Sequence, residues 1–241
     1  MDDFLFEHVR LRCTEQTRVQ LQNFRSQEIA IERMLATVTG IEGLDEGAIM
    51  KTKEKVYERI LDLLIAEGYP SEEDPDFKES NVNDLALHII VSIISDFVRM
   101  TGRKTTLVRE KKIISVDGEA GGYEEFLVVD AISVNEDKYV LVVESKRSSL
   151  GVAIKQCLLS LKDMQDSNGG GAVYGVVTTG EDWQMLSYDG ASFRVTRKAH
   201  VLFGGMDQDK ELWMAEHSIL VNCIYFAWAN GGIVRQDVAV V

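Results

Sequence analysis

Proline, cysteine and long apolar runs are all scarce in this chain of 241 residues. Two prolines, Pro70 and Pro75, exclude a proline-rich linker protein, and 19 glycines in no repeat exclude a collagen-like one. The three cysteines, Cys13, Cys157 and Cys223, are odd in number and form no CxxC pair. That pattern argues against a zinc site and against a secreted disulfide framework, and points to an intracellular, reducing compartment. The longest near-apolar run, Ile219 to Ala229, is about half the length a bilayer needs and contains Asn222. The acidic start, Met1 to Glu7, lacks the positive region of a signal peptide, so no membrane association is expected. Basic residues are also outnumbered, 26 against 39 acidic ones, for a net charge of −13. A surface that adheres to nucleic acid by charge alone is thereby excluded.

What is present is a change of pattern along the chain. Residues 1–70 read as a helical extension. Thr14 to Leu35 places apolar residues at mixed helical spacings, and Lys51 to Glu67 carries Val56, Ile60, Leu63 and Leu64 as an amphipathic stripe. Gly68-Tyr69-Pro70 stops that helix, and an acidic cluster with Pro75 marks a boundary. Residues 71–241 form the second unit. A helix is expected from Glu79 to Met100, followed by strands over Thr105 to Val116, Glu125 to Val134 and Lys138 to Ser145. A helix over Leu150 to Asp166 and a fully apolar strand over Ala172 to Thr179 come next. Two short strands and a closing helix, Glu211 to Asn230, complete an α/β unit whose mixed sheet is flanked by helices.

The chemistry-bearing residues cluster at the strand ends. Asp130 closes one apolar run and Glu144 the next, with Lys146 two positions on. A turn at Asn135-Glu136-Asp137 centres the hairpin so that Asp130 falls opposite Val143 or Glu144. Two adjacent carboxylates repel, and burying them is costly without a cation. Oxygen ligands favour Mg²⁺ or Mn²⁺, held here by Asp130 and Glu144, with Lys146 orienting water or neutralising charge on phosphate. The alternative is an ordinary Glu–Lys surface pair beside an unrelated aspartate. Between Arg99 and Lys112, six basic residues stand against one acidic residue. Arg103, Lys104, Arg109, Lys111 and Lys112 read either as a ridge holding a phosphate chain or as a solvated strand and turn.

Val129-Asp130, then Val143-Glu144-Ser145-Lys146, then a helix containing Gln156, resembles the PD-(D/E)XK nuclease-like superfamily, the restriction-endonuclease fold. The segment is similar in particular to the fungal and oomycete branch and to domains built into Crinkler-type proteins. The resemblance implies an αβββαβ core over about residues 79–200, with Asp130 and Glu144 binding Mg²⁺ and Lys146 assisting the attacking water. It further implies supporting roles for Gln156, ten residues after the lysine, and for Glu79, as a metal-site acid at the start of the first core helix; Asn83 follows one turn later. Val129 stands where the motif has proline, and Ser160 where recombination nucleases have tyrosine. A nucleic-acid substrate follows, DNA ahead of RNA. The second reading is a catalytically inactive nuclease-fold module that binds a protein partner. A third makes the N-terminal helices an oligomerisation or partner arm.

Other features carry no chemistry by spacing. His88 reads as a core or groove histidine, and His8, His200 and His217 have no partner at metal-ligand spacing. Trp183, Trp213 and Trp228 read as core anchors. Arg194, Arg197 and Lys198 either extend a phosphate track or guard a strand edge.

Overall fold

The computed structural model describes residues 28–36, 45–69, 76–114, 121–133 and 136–231, with backbone alone for 110–114, 121–125, 130–133 and 136–137. The strands are β1 (Glu28–Ile29), β2 (Thr105–Ile114), β3 (Gly121–Ser133), β4 (Glu136–Ser145), β5 (Val173–Thr178), β6 (Asp182–Tyr188), β7 (Phe193–Thr196) and β8 (Ala199–His200). The helices are α1 (Ile31–Leu35), α2 (Glu46–Glu67), α3 (Glu79–Thr101), α4 (Leu150–Ser167) and α5 (Ile219–Asn230). A helical turn, Lys210–Leu212, and a π turn, Trp213–His217, lead into α5.

Local chemistry sets the helix bounds. The Asp45 carboxylate accepts from the Ala48 amide at 2.7 Å and caps α2, which ends at Gly68 with φ 86°. The Asn81 side chain accepts from the Lys78 amide at the head of α3, and Gly102, at φ 68°, ends that helix in the left-handed region. By length and composition α3 could cross a bilayer. Here Val82, Leu85, Ala86, Ile89, Ile93 and Phe97 bury its apolar face within the protein.

The sheet runs β1-β7-β6-β5-β4-β3-β2, with β8 beside β6. Parallel pairing occurs between β4 and β5 and between β1 and β7; the other pairs are antiparallel. α3 followed by β2, β3, β4, α4 and β5 gives the α-β-β-β-α-β order expected from the sequence. Alternation along each strand divides the core in two. On one face Phe126, Val128, Leu141, Val143 and Val176 pack with α2, α3 and α5. On the other, Leu127, Val129, Val142 and Val177 pack with Ala153, Cys157, Leu158 and Leu161 of α4. All three tryptophans are buried, as expected.

Three expectations are corrected. Thr14 to Leu35 is not one helix: Glu28–Ile29 is a strand pairing with β7 and only Ile31–Leu35 is helical, while residues 14–27 lie outside the described residues. Mixed spacing in that stretch reflected two elements rather than one. The helical extension shares the main core, since Ile31, Met34, Val56, Tyr57 and Ile60 join the cluster built on α3 and α5. A polar network reinforces the junction: Thr52 Oγ1 lies 2.8 Å from Tyr225 Oη, and Lys55 Nζ donates to Asp96 at 2.8 Å. Burial pushes the Tyr225 phenol up to about 12, keeping it neutral in that network. Finally, His88 is exposed rather than buried, its Nδ1 2.7 Å from the Asp84 carbonyl.

Close packing of α4 on the sheet depends on Gly175. A Cβ there would collide with Cys157 Sγ while meeting Val142 and Leu161 at ordinary contact distance. Gly175→Ala is expected to cost about 1–3 kcal/mol in urea unfolding. Adding Cys157→Ala should restore most of that loss; a single variant as stable as the parent would exclude the close contact.

Candidate functional site

The site candidate sits where β4 ends. Glu144 and Ser145 pair with Val177 and Thr178 of β5, and the Lys146 amide donates to the Thr178 carbonyl at 2.9 Å. The chain then crosses four residues to Leu150, where α4 begins. Strand alternation assigns successive residues to different neighbours. Glu144, only 3% exposed, shares the α4 side with Val142. Ser145 faces α3, where its hydroxyl hydrogen-bonds the Asn83 side-chain oxygen.

Lys146 reaches the head of α3. Its Nζ donates to Glu79 Oε1 at 2.8 Å, with the lysine side chain 16% exposed and the glutamate 46%. Glu79 and Asn83, one helical turn apart, thus both contact the Ser145-Lys146 segment. Gln156 lies on α4 between the sheet-facing Ala153 and Cys157. Its Oε1 is buried with no hydrogen-bond partner among the described residues. A buried acceptor without a donor is costly, and a cation would satisfy it.

Asp130 is not part of this group. Its register partner is Lys138, and on the other side Thr105. Lys138 and Glu144 stand six positions apart on β4, about 20 Å along an extended strand. Two causes moved the register from the one expected. Ser133 opposes Glu136, so the hairpin closes earlier than Asn135–Asp137 implied, and the ladder shifts by one between Val128 and Val129.

The same register supplies a different acid. Phe126 opposes Val143, so Glu125 stands one step on, at the position opposite Glu144. Arg109 opposes Phe126 and Lys111 opposes Glu124, which puts Glu110 level with Glu125 on the outer strand. Glu110 and Glu125 are neighbours by register, and continuing the β3–β4 ladder one step beyond its last pair brings Glu125 level with Glu144. The sequence signal at this position is the Glu124-Glu125 pair, which opens the apolar run that Asp130 closes. Among the described residues no three His, Cys, Asp or Glu side chains converge as a metal cluster.

The basic stretch divides along β2. Arg103 Nη1 donates to the Trp228 carbonyl at 2.8 Å and its guanidinium lies 5.5 Å from the Phe97 ring centre. It serves to fasten α5 to α3, while Lys104 beside it is exposed and Arg99 pairs with Asp96. Both Arg103 and Lys104 belong to the Asp130 end of the hairpin. Arg109, exposed and 5.5 Å over the Phe126 ring, belongs with Lys111 and Lys112 to the Glu144 end. Arg194 holds Asp189 at 3.2 Å and Lys198 holds Asp182 at 2.9 Å.

No protein-family model matches the chain. Nor is any curated protein significantly similar to it.

Proposed function

We propose that the protein is a metal-dependent nuclease of the PD-(D/E)XK type, hydrolysing phosphodiester bonds of nucleic acid. The observation that carries this reading is the Lys146–Glu79 contact two residues beyond buried Glu144, at the end of the parallel pair β4–β5. The αβββαβ order of the surrounding elements supports it. Oxygen donors suit Mg²⁺ or Mn²⁺, and the residues that would hold the ion are Glu144, Gln156, whose buried Oε1 has no hydrogen-bond partner among the described residues, and Glu125, one step beyond the last β3–β4 pair. Bound there, the ion supplies Lewis-acid polarisation of a phosphoryl oxygen and lowers the pKa of water.

The chain's own residues do the rest. Glu79 orients the Lys146 ammonium, and that positive charge opposes the negative charge developing on phosphate. Asn83 and the Ser145 hydroxyl fasten the head of α3 to the strand end, which fixes the Glu79–Lys146 geometry. Arg109, Lys111 and Lys112, on the neighbouring outer strand, supply positive charge for the flanking backbone. The overall charge of −13 keeps such contact local and favours the second reading, an inactive module that binds a protein.

One experiment separates the two. With Mg²⁺ or Mn²⁺, the parent protein should cleave DNA or RNA, and Lys146→Ala should lower the rate at least about 100-fold. The metal should also raise the parent's melting temperature, as binding to the native state alone requires. Equal cleavage by parent and variant would remove the assignment. Absence of both cleavage and metal stabilisation would leave the interaction module.

A further inference from the structure

Two histidines that spacing left without partners meet in the fold. His200 ends β8 opposite Asp182, and its Nδ1 lies 3.1 Å from Asp182 Oδ1. His217 closes the π turn, and its Nδ1 lies 2.5 Å from the His200 carbonyl oxygen. A carboxylate and a carbonyl only accept, so each Nδ1 must carry the hydrogen. In each neutral ring the lone pair is then on Nε2, which makes no hydrogen bond among the described residues.

We propose that His200 and His217 form a site for a borderline divalent ion such as Zn²⁺, Ni²⁺ or Cu²⁺. Imidazole nitrogen suits these ions and does not suit Mg²⁺, so this site is chemically distinct from the oxygen-lined one at Glu144. Nδ1–H donated to a carboxylate or backbone carbonyl is the arrangement that orients histidine ligands and raises their basicity. Here both rings have it. The ring centres lie 6.1 Å apart, with planes at 65°. Zn–N bonds of about 2.0–2.1 Å at a tetrahedral angle place two ring centres about 5 Å apart. Ligation requires the ring centres to close by about 1 Å with both Nε2 atoms turned to the ion, and His200, whose side chain is 50% exposed, has room for that movement.

The supporting residues are packed and hydrogen-bonded. Phe203 packs on His217 with ring centres 4.6 Å apart, and Trp213 Nε1 donates to the Val201 carbonyl at 2.9 Å, pinning the π turn beside His200. The Ser218 amide bonds the Trp213 carbonyl at 2.9 Å, the i→i+5 pattern that recurs at functional sites. Lys198 Nζ occupies the second Asp182 oxygen at 2.9 Å, so Asp182 acts as an orienting group and water completes the coordination.

Calorimetric titration of the full chain with Zn²⁺ and with Ni²⁺ tests the site directly. One ion per chain is expected, undisturbed by excess Mg²⁺. His200→Ala and His217→Gln should each abolish that binding, while Asp182→Asn should weaken it about 10-fold or more at unchanged stoichiometry. Melting curves of the apo-variants confirm that they fold. No binding by the parent, or parent-like affinity in either folded histidine variant, overturns the proposal. Neither result depends on whether nucleic acid is cleaved.

Discussion

Glu125→Ala is expected to lower Mg²⁺-dependent cleavage at least about 100-fold, while Asp130→Ala leaves it within about threefold of the parent. The contrast follows from register alone. Glu125 stands opposite Glu144, one step beyond the Phe126–Val143 pair, whereas Asp130 stands opposite Lys138. One carboxylate can therefore share an ion with Glu144, and the other is separated from it by about 20 Å of strand. Metal-induced stabilisation gives the same comparison without catalysis: Asp130→Ala should retain the Mg²⁺ shift in melting temperature and Glu125→Ala should lose most of it. The reverse pattern would mean that the hairpin pairs about six positions out of the described register. A parent with neither cleavage nor a metal shift would instead refute the nuclease reading.

The second large effect concerns stability. Phe97→Ala should cost about 3–5 kcal/mol, a substantial part of the 5–15 kcal/mol that holds a typical domain folded. Phe97 is fully buried where α3 meets α5. Its ring centre lies 6.0 Å from Tyr225 and 5.2 Å from Trp228, with the Arg103 guanidinium 5.5 Å away. Truncation leaves a void that three large neighbours cannot fill together. Arg103, which also bonds the Trp228 carbonyl, would lose the ring it stacks on. Urea unfolding should show a lower midpoint with an unchanged slope. Phe97→Leu, closer in volume, should cost about 1.5 kcal/mol. A loss under 1 kcal/mol for the alanine variant would show that α5 does not rest on α3 here.

Element order was legible because each helix and strand from Glu79 to Thr196 carries its own periodicity and stop signals. The apolar run at residues 173–178, for example, is buried at every position, as a strand covered on both faces must be. Register was not legible. Pattern identifies faces, but a hairpin's pairing depends on turn geometry, and one shift between Val128 and Val129 suffices to displace every residue beyond it. Val140 and Leu141 record that irregularity, since these neighbours both join the α3-side core. Glu144 and Lys146 were legible from the strand end, whereas Glu79, which contacts Lys146, was implied by the nuclease resemblance alone. The histidine pair was not: 17 positions separate His200 from His217, and a π turn follows no 3.6-residue rule.

β1 has a consequence for how the chain assembles. Positions 28 and 195 meet in its two-residue ladder with β7, and the Ile29 carbonyl accepts from the Arg197 amide at 2.9 Å. So distant a contact requires closing a very large loop for few hydrogen bonds, which makes it a late arrival rather than a nucleus. Until Glu28–Ile29 docks, Phe193–Thr196 presents a bare strand margin. Chains caught at that stage would associate edge to edge, with exposed Arg194 as the charge that discourages it.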